Sequence, residues 1–215
     1  MARLLGPKCK KCRRFNQKLF LKGVKCFTSK CPLDPHHLPS PRTTRPGQHG
    51  AGAKAFSEYG IRLDEKQKLR FMYGVMEKQF KKYFEMAQRR KGVTGENLLI
   101  ILESRLDNVL YRMGFALSRQ QARQFIRHRF IEVNSKVIDI PSYLVKPGDV
   151  ISLREKAKNK EIFKEIIEYT KENFQILPHL EVDFDNMKGK FLRYPERNEI
   201  PVDVNEQLIV EFYSR

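Results

Sequence analysis

What the 215-residue chain lacks narrows its class first. No run approaches the roughly 18–20 apolar residues of a membrane span, and the opening MARLLGPKCKK has no apolar signal core. A cytoplasmic protein of a reducing compartment is therefore expected. Cysteine disappears after residue 31, so disulfides cannot staple the bulk of the fold. Acidic charge is scarce, 25 Asp+Glu against 42 Lys+Arg, for a net charge of +17 and a pI near 9.8. That balance asks for a polyanionic partner, nucleic acid before anionic membrane. Neither H-E-x-x-H nor a dinucleotide loop nor a nucleophile with its base is visible, which argues against an enzyme and a small-molecule substrate.

The excess charge is unevenly spread. Lys+Arg outnumber Asp+Glu by 13 to 2 over residues 1–60 and by 19 to 10 over 61–154, but are outnumbered 10 to 13 over 155–215. The first two regions are expected to face the polyanion, and the last to serve as scaffold or protein contact.

All four cysteines fall in CKKCRRFNQKLFLKGVKCFTSKC, spaced C-x2-C-x13-C-x4-C. A disulfide framework, a redox centre, an iron–sulfur site, unmetallated thiols and a zinc site all compete for this pattern. Two short-loop pairs within 23 residues suit a closed structural zinc site best, with one Zn2+ held by Cys9, Cys12, Cys26 and Cys31. Lys8, Lys10, Lys11, Arg13, Lys25 and Lys30 would favour the thiolates and could also reach phosphates. His36, His37 and His49 are spare, because four cysteines already complete a tetrahedron.

Prolines and glycines then crowd Pro32–Gly60, an extended segment without a core that would order on RNA. Gly47 to Lys54 glances at a phosphate loop, but Ala53 stands where lysine should be and no strand precedes it. Apolar spacing predicts one long helix from Asp64, as cap, to Lys91, and a second from Thr94 to Met113. Ser118-Arg119-Gln120-Gln121 is a capping-box start for a third, on which Arg119, Arg123 and Arg127 share a face with no acid between Gly114 and Ile131 to pair them. Phosphates explain that row better than solvent. Strands are expected at Phe130–Val133, Val137–Ile140, Val150–Leu153, Leu180–Phe184, Lys190–Tyr194 and Gln207–Tyr213, and a helix at Glu161–Phe174. The fold class is α+β: a zinc knuckle and extended basic segment in 1–60, a helical domain in 61–102 with 155–215 as its scaffold, and an inserted compact module of two helices and a small antiparallel sheet in 103–154.

Residues 103–115 (ESRLDNVLYRMGF), 118–124 (SRQQARQ) and 140–143 (IPSY) resemble the RNA-binding module of the bacterial small-subunit ribosomal protein number four family. Residues 46–50 (PGQHG), 65–68 (EKQK), 73–75 (YGV), 79–80 (QF) and 206–215 (EQLIVEFYSR) extend the resemblance across the chain, and the four cysteines look like its zinc-bearing variant. The resemblance implies a ribosomal protein that binds the 5′ domain of small-subunit rRNA, nucleates assembly of the subunit body, and neighbours small-subunit protein number five and mRNA at the entry channel, where it influences decoding accuracy. Lys8, Lys10, Lys11, Arg13, Arg14, Arg42, Arg45, His49, Lys54, Arg62, Lys66, Arg70, Arg105, Ser118, Arg119, Gln120, Arg123, Arg127 and Lys136 are the expected RNA contacts. Ser135 and Arg129 depart from the family pattern, which favours glycine or a small residue at these turns, as does the stretch from His36 to Arg45. The rival readings are an RNA-modifying or tRNA-charging enzyme that shares the module, and a zinc-dependent DNA-binding regulator.

Overall fold

The apolar stripe between Asp64 and Lys91 belongs to two helices, not one. In the computed structural model, which describes residues 4–48, 50 and 57–214, α2 (Glu58–Met72) ends at Gly74, whose φ of 65° is left-handed. Gly74 N donates to Phe71 O and Val75 N to Arg70 O, at 3.2 and 3.1 Å. These are the paired bonds of a Schellman stop. Helix α3 (Glu77–Gln88) then starts afresh. Asp64 is not a cap: Ser57 caps α2, its hydroxyl accepting from Gly60 N at 3.2 Å.

The chain forms two compact units, residues 1–95 with 202–215, and residues 96–201. The expected partition therefore shifts. Residues 155–201 join the module, and only the last stretch returns to the first unit. That unit holds α1 (Lys8–Phe15), α2 and α3, closed by α9 (Glu206–Tyr213). Gln207–Tyr213 was expected as a strand. Asn205 makes it a helix, its side-chain oxygen accepting from Gln207 N at 3.0 Å and Leu208 N at 3.4 Å. Tyr213 stacks 4.5 Å from Phe84 and donates its hydroxyl to Glu77 at 3.1 Å. Leu69, Phe80, Tyr83, Ala87 and Ile209 are buried in this unit.

The second unit also breaks an expected helix. Thr94–Met113 divides into α4 (Thr94–Glu103) and α5 (Leu106–Arg112). At the break the backbone pairs elsewhere: Leu106 N donates to Tyr143 O at 2.8 Å, Asp107 N to Pro141 O at 3.1 Å, and Val145 N to Ser104 O at 2.8 Å. Helix α5 stops in a second Schellman pattern at Gly114 (φ 77°). A Cβ there would sit 2.2 Å from Thr170 Cγ2. Thr170 lies on α8 (Glu161–Asn173) and donates its hydroxyl to Gly114 O at 2.9 Å.

Between them runs α6 (Arg119–Arg127), and after it the strands β1 (Ile131–Val133), β2 (Lys136–Val137) and β3 (Val150–Leu153), then the four-residue α7 (Glu155–Lys158) before α8. Strands β4 (Leu180–Asp183) and β5 (Lys188–Phe191) complete one antiparallel sheet in the order β2-β1-β3-β5-β4. Thus β2 is shorter than its sequence pattern, and β5 begins two residues earlier. The earlier start follows from pairing, since Lys188 lies opposite Ser152 on β3 and Asp183 on β4, while Gly189 leaves room for Met113, whose sulfur would lie 2.7 Å from a Cβ there. Leu110, Met113, Phe125, Ile126, Ile151, Phe163, Ile166 and Phe191 form the core between helices and sheet. Burying each such side chain stabilises by about 1.5–3 kcal/mol.

Candidate nucleic-acid interface

Helix α6 carries the arginine row, and α5 holds it in place. Ser118 caps α6, its Oγ accepting from Gln121 N at 3.2 Å. Gln121 reaches back one residue further than a standard capping box, accepting from Leu117 N at 2.8 Å. Arg119 Nε donates to Asn108 Oδ1 at 2.7 Å, and its guanidinium lies 4.8 Å above the Tyr111 ring. Asn108 in turn gives its amide to Glu103, to the carbonyl at 3.0 Å and to Oε2 at 2.6 Å. Glu103 also takes Arg112 at 3.0 and 2.7 Å. Arg105 grips Asp107 with two bonds, 3.0 and 2.6 Å, and Arg123 stands 3.6 Å from the same carboxylate.

Two expectations change here. The arginine row has acidic company, supplied by α5 rather than by its own helix. Arg105 is not a surface contact: it is 2% exposed and belongs to the fold. Yet two carboxylates, Glu103 and Asp107, face four guanidiniums, Arg105, Arg112, Arg119 and Arg123. Guanidiniums gathered and oriented by buried groups suit bidentate recognition of phosphate. Arg127, Gln120 and Lys136 are exposed nearby on α6 and β2. The organising residues Glu103, Asp107, Asn108 and Tyr111 were missed as a site. The signal was present, since all four lie within the stretch ESRLDNVLY.

In the first unit, several expected contacts are committed to structure. Lys66 is 5% exposed, bonded to Glu77 at 2.6 Å and 4.4 Å above the Phe212 ring. It is a buried strut between α2, α3 and α9, which corrects its assignment as an RNA contact. Arg70 also pairs with Glu77, at 3.2 Å. Arg62 joins Glu211 at 2.8 Å and Glu58 at 3.1 Å. Arg14 and Arg45 converge on Asp64, at 2.6 and 3.1 Å. Arg13 donates to Thr44 O, Lys8 to Leu4 O and Lys11 to Leu5 O. The Lys11 ammonium is held below its ordinary pKa by burial, then by Lys8 and Arg70. Lys10 and Arg42 are exposed, while His49 and Lys54 lie outside the described residues.

The cysteines sit on one basic knob. Cys9 and Cys12 lie on α1, and Cys26 on a short 3-10 turn, Gly23–Phe27. Cys12, Cys26 and Cys31 are buried, Cys9 is half-buried, and all four are free thiols. Burial pushes the Cys12 thiol up to about 11, helped by the neighbouring Cys26, Cys9 and Cys31 against a backbone hydrogen bond at Leu19. Cys26 is raised by burial too, and its sulfur accepts from Lys22 N at 3.3 Å. The donor chemistry fits a thiophilic ion. As placed, though, no group of three or more His, Cys, Asp or Glu among the described residues is gathered closely enough to hold a metal.

Residues 3–103 match the Ribosomal protein S4/S9 N-terminal domain, and residues 104–151 match the S4 domain. The chain belongs to the ribosomal protein S4 family. It is 53% identical to small ribosomal subunit protein uS4 of Thermodesulfovibrio yellowstonii, 53% to that of Nitrosospira multiformis and 50% to that of Thermus thermophilus, each over all of both chains. The S4 family is one of structural ribosomal proteins, so the enzyme reading falls. Its S4-domain match stops inside β3, whereas the sheet runs on through β5 and β4. No helix among the described residues is long and apolar enough to cross a membrane.

Proposed function

We propose that this chain is a primary binder of small-subunit rRNA, docking on the 5′ domain, nucleating assembly of the subunit body and contributing to translational accuracy. The observation that carries the reading is the α5-held guanidinium array on α6, with Arg119 fixed by Asn108 and stacked on Tyr111. Such an array reads phosphates and RNA shape rather than base edges. Contact with small-subunit protein number five and with mRNA at the entry channel belongs to the same reading, supported by the full-length resemblance to uS4 proteins.

Cys9, Cys12, Cys26 and Cys31 are read as ligands of one structural Zn2+, supported by the burial of the last three, the half-buried Cys9 beside them and their basic surroundings. When bound, the ion would cross-link α1 to the later cysteine pair and hold the knob rigid. Elemental analysis should find one zinc per chain, lost with RNA affinity when Cys9 or Cys26 becomes Ser. RNA affinity untouched by metal loss would reduce the ion to a local folding aid.

Binding to a 5′-domain transcript, to tRNA and to duplex DNA, measured across salt concentrations, tests the main reading. Preference for the transcript with a steep fall in affinity as salt rises is expected, because neutralised phosphates release counterions. Equal or better binding of tRNA or duplex, or affinity indifferent to salt, would overturn it.

A further inference from the structure

We propose that Phe20 and Phe27 form a stacking platform for one unpaired RNA base, an inference that rests on the rRNA-binding reading above. Their rings stack on each other, with centroids 5.1 Å apart and planes 27° apart. Both remain open to water, 38% and 49% exposed. Phe20 also has a φ of 50°, in the left-handed region that a bulky L residue occupies only at a cost. Folding alone favours neither feature, since an exposed ring forgoes burial and a strained aromatic could be replaced by glycine. Strain held at an exposed apolar pair marks a site kept for a ligand.

Charge identifies the ligand. Residues 4–33 carry nine Lys or Arg and no Asp or Glu. Lys22, Lys25 and Lys30 are exposed along the segment that holds the rings. The first acid, Asp34, is already held by Lys18 at 2.8 Å. An exposed aromatic pair in a segment whose only charged side chains are cationic fits a nucleobase with its flanking phosphates, the combination by which aromatic residues capture unstacked bases. The platform is anchored from below, because Leu19, Gly23 and Cys26 beside it in the chain are buried.

The chain contains no tryptophan, so Phe27→Trp in the full-length protein supplies a single indole at the platform. Adding a transcript of the 5′ domain should quench its emission by more than half. The double variant Phe20→Leu, Phe27→Leu should bind the same transcript about tenfold or more weakly. Its salt dependence should stay that of the unsubstituted chain, since no phosphate contact is removed; general misfolding would flatten it. Unchanged emission while Phe27→Trp binds with full affinity would overturn the platform and leave the RNA reading standing. Quenching only by other small-subunit proteins would make the rings a protein contact and equally overturn it. Failure of the unsubstituted protein to bind the transcript would remove both readings together.

Discussion

Asn108 accepts the Arg119 Nε–H at 2.7 Å while its own amide hydrogens are committed to Glu103. The amide is fully buried, so its orientation fixes where the guanidinium stands. Asn108→Ala should cost about 1–3 kcal/mol of stability, the penalty for stranding buried polar partners. It should also weaken transcript binding without lowering the number of phosphates neutralised. Urea melts and binding at several salt concentrations would show both effects, and an unaltered affinity would remove Asn108 from the positioning role.

Arg105 and Arg127 should behave as opposites. Arg105→Met takes from the buried Asp107 its bidentate partner, and breaking such a pair costs about 3–5 kcal/mol. The exposed Arg127→Gln should leave the urea midpoint nearly unmoved. It should lower the magnitude of the salt slope by about one, the signature of a single lost phosphate contact.

Two turns carry removable strain. Helix α6 ends as α2 and α5 do, with Arg129 N on Ile126 O and Phe130 N on Phe125 O. Here, however, the left-handed position belongs to Arg129 (φ 58°), and the β1–β2 turn places Asn134 and Ser135 at 49° and 63°. Arg129→Gly and Ser135→Gly should each stabilise by about 0.5–1 kcal/mol, the left-handed penalty less glycine's entropy. Thermal melts that showed destabilisation would contradict these backbone assignments.

Stability should also fall on mild acidification through His179. This side chain is 1% exposed, and its pKa is lowered chiefly by burial, against the opposing pull of Glu103 and Glu199 and with a smaller push from Arg112 and Arg193. The folded state therefore binds its proton less readily than the unfolded chain. Its contribution is present above the unfolded value near 6.5 and is lost as pH falls through the depressed folded value. Comparing urea midpoints at pH 7 and pH 5 for the native chain and His179→Gln tests this, and the variant should show the smaller drop.

Local signals in the chain were legible wherever the partner was close in sequence. The turn at Pro147-Gly148-Asp149 set β3 at Val150–Leu153, and Ser118 set the start of α6. Reading failed where the partner was distant. Nothing near Ser104 announces that the N–H groups of Leu106 and Asp107 will find Tyr143 and Pro141. The apolar stripe also continues past Gly74, hiding a stop that is made by the Val75 N–H bond to Arg70 O. At the site, residue type was readable but not allocation. Lys66 and Arg105 look like their neighbours in sequence, and only burial separates a strut from a phosphate contact.

The return of residues 202–215 to the first unit also sets an order of completion during synthesis. Residues 1–95 of that unit precede the second unit, yet α9 is missing from it until residues 206–213 emerge, when Glu211, Phe212 and Tyr213 reach Arg62, Lys66 and Glu77. The second unit, whole by residue 201, can close earlier. Until residues 188–191 arrive, though, β3 has an unpaired edge open to other chains. A nascent fragment ending near residue 154 should therefore be prone to self-association, and one ending at 201 should not.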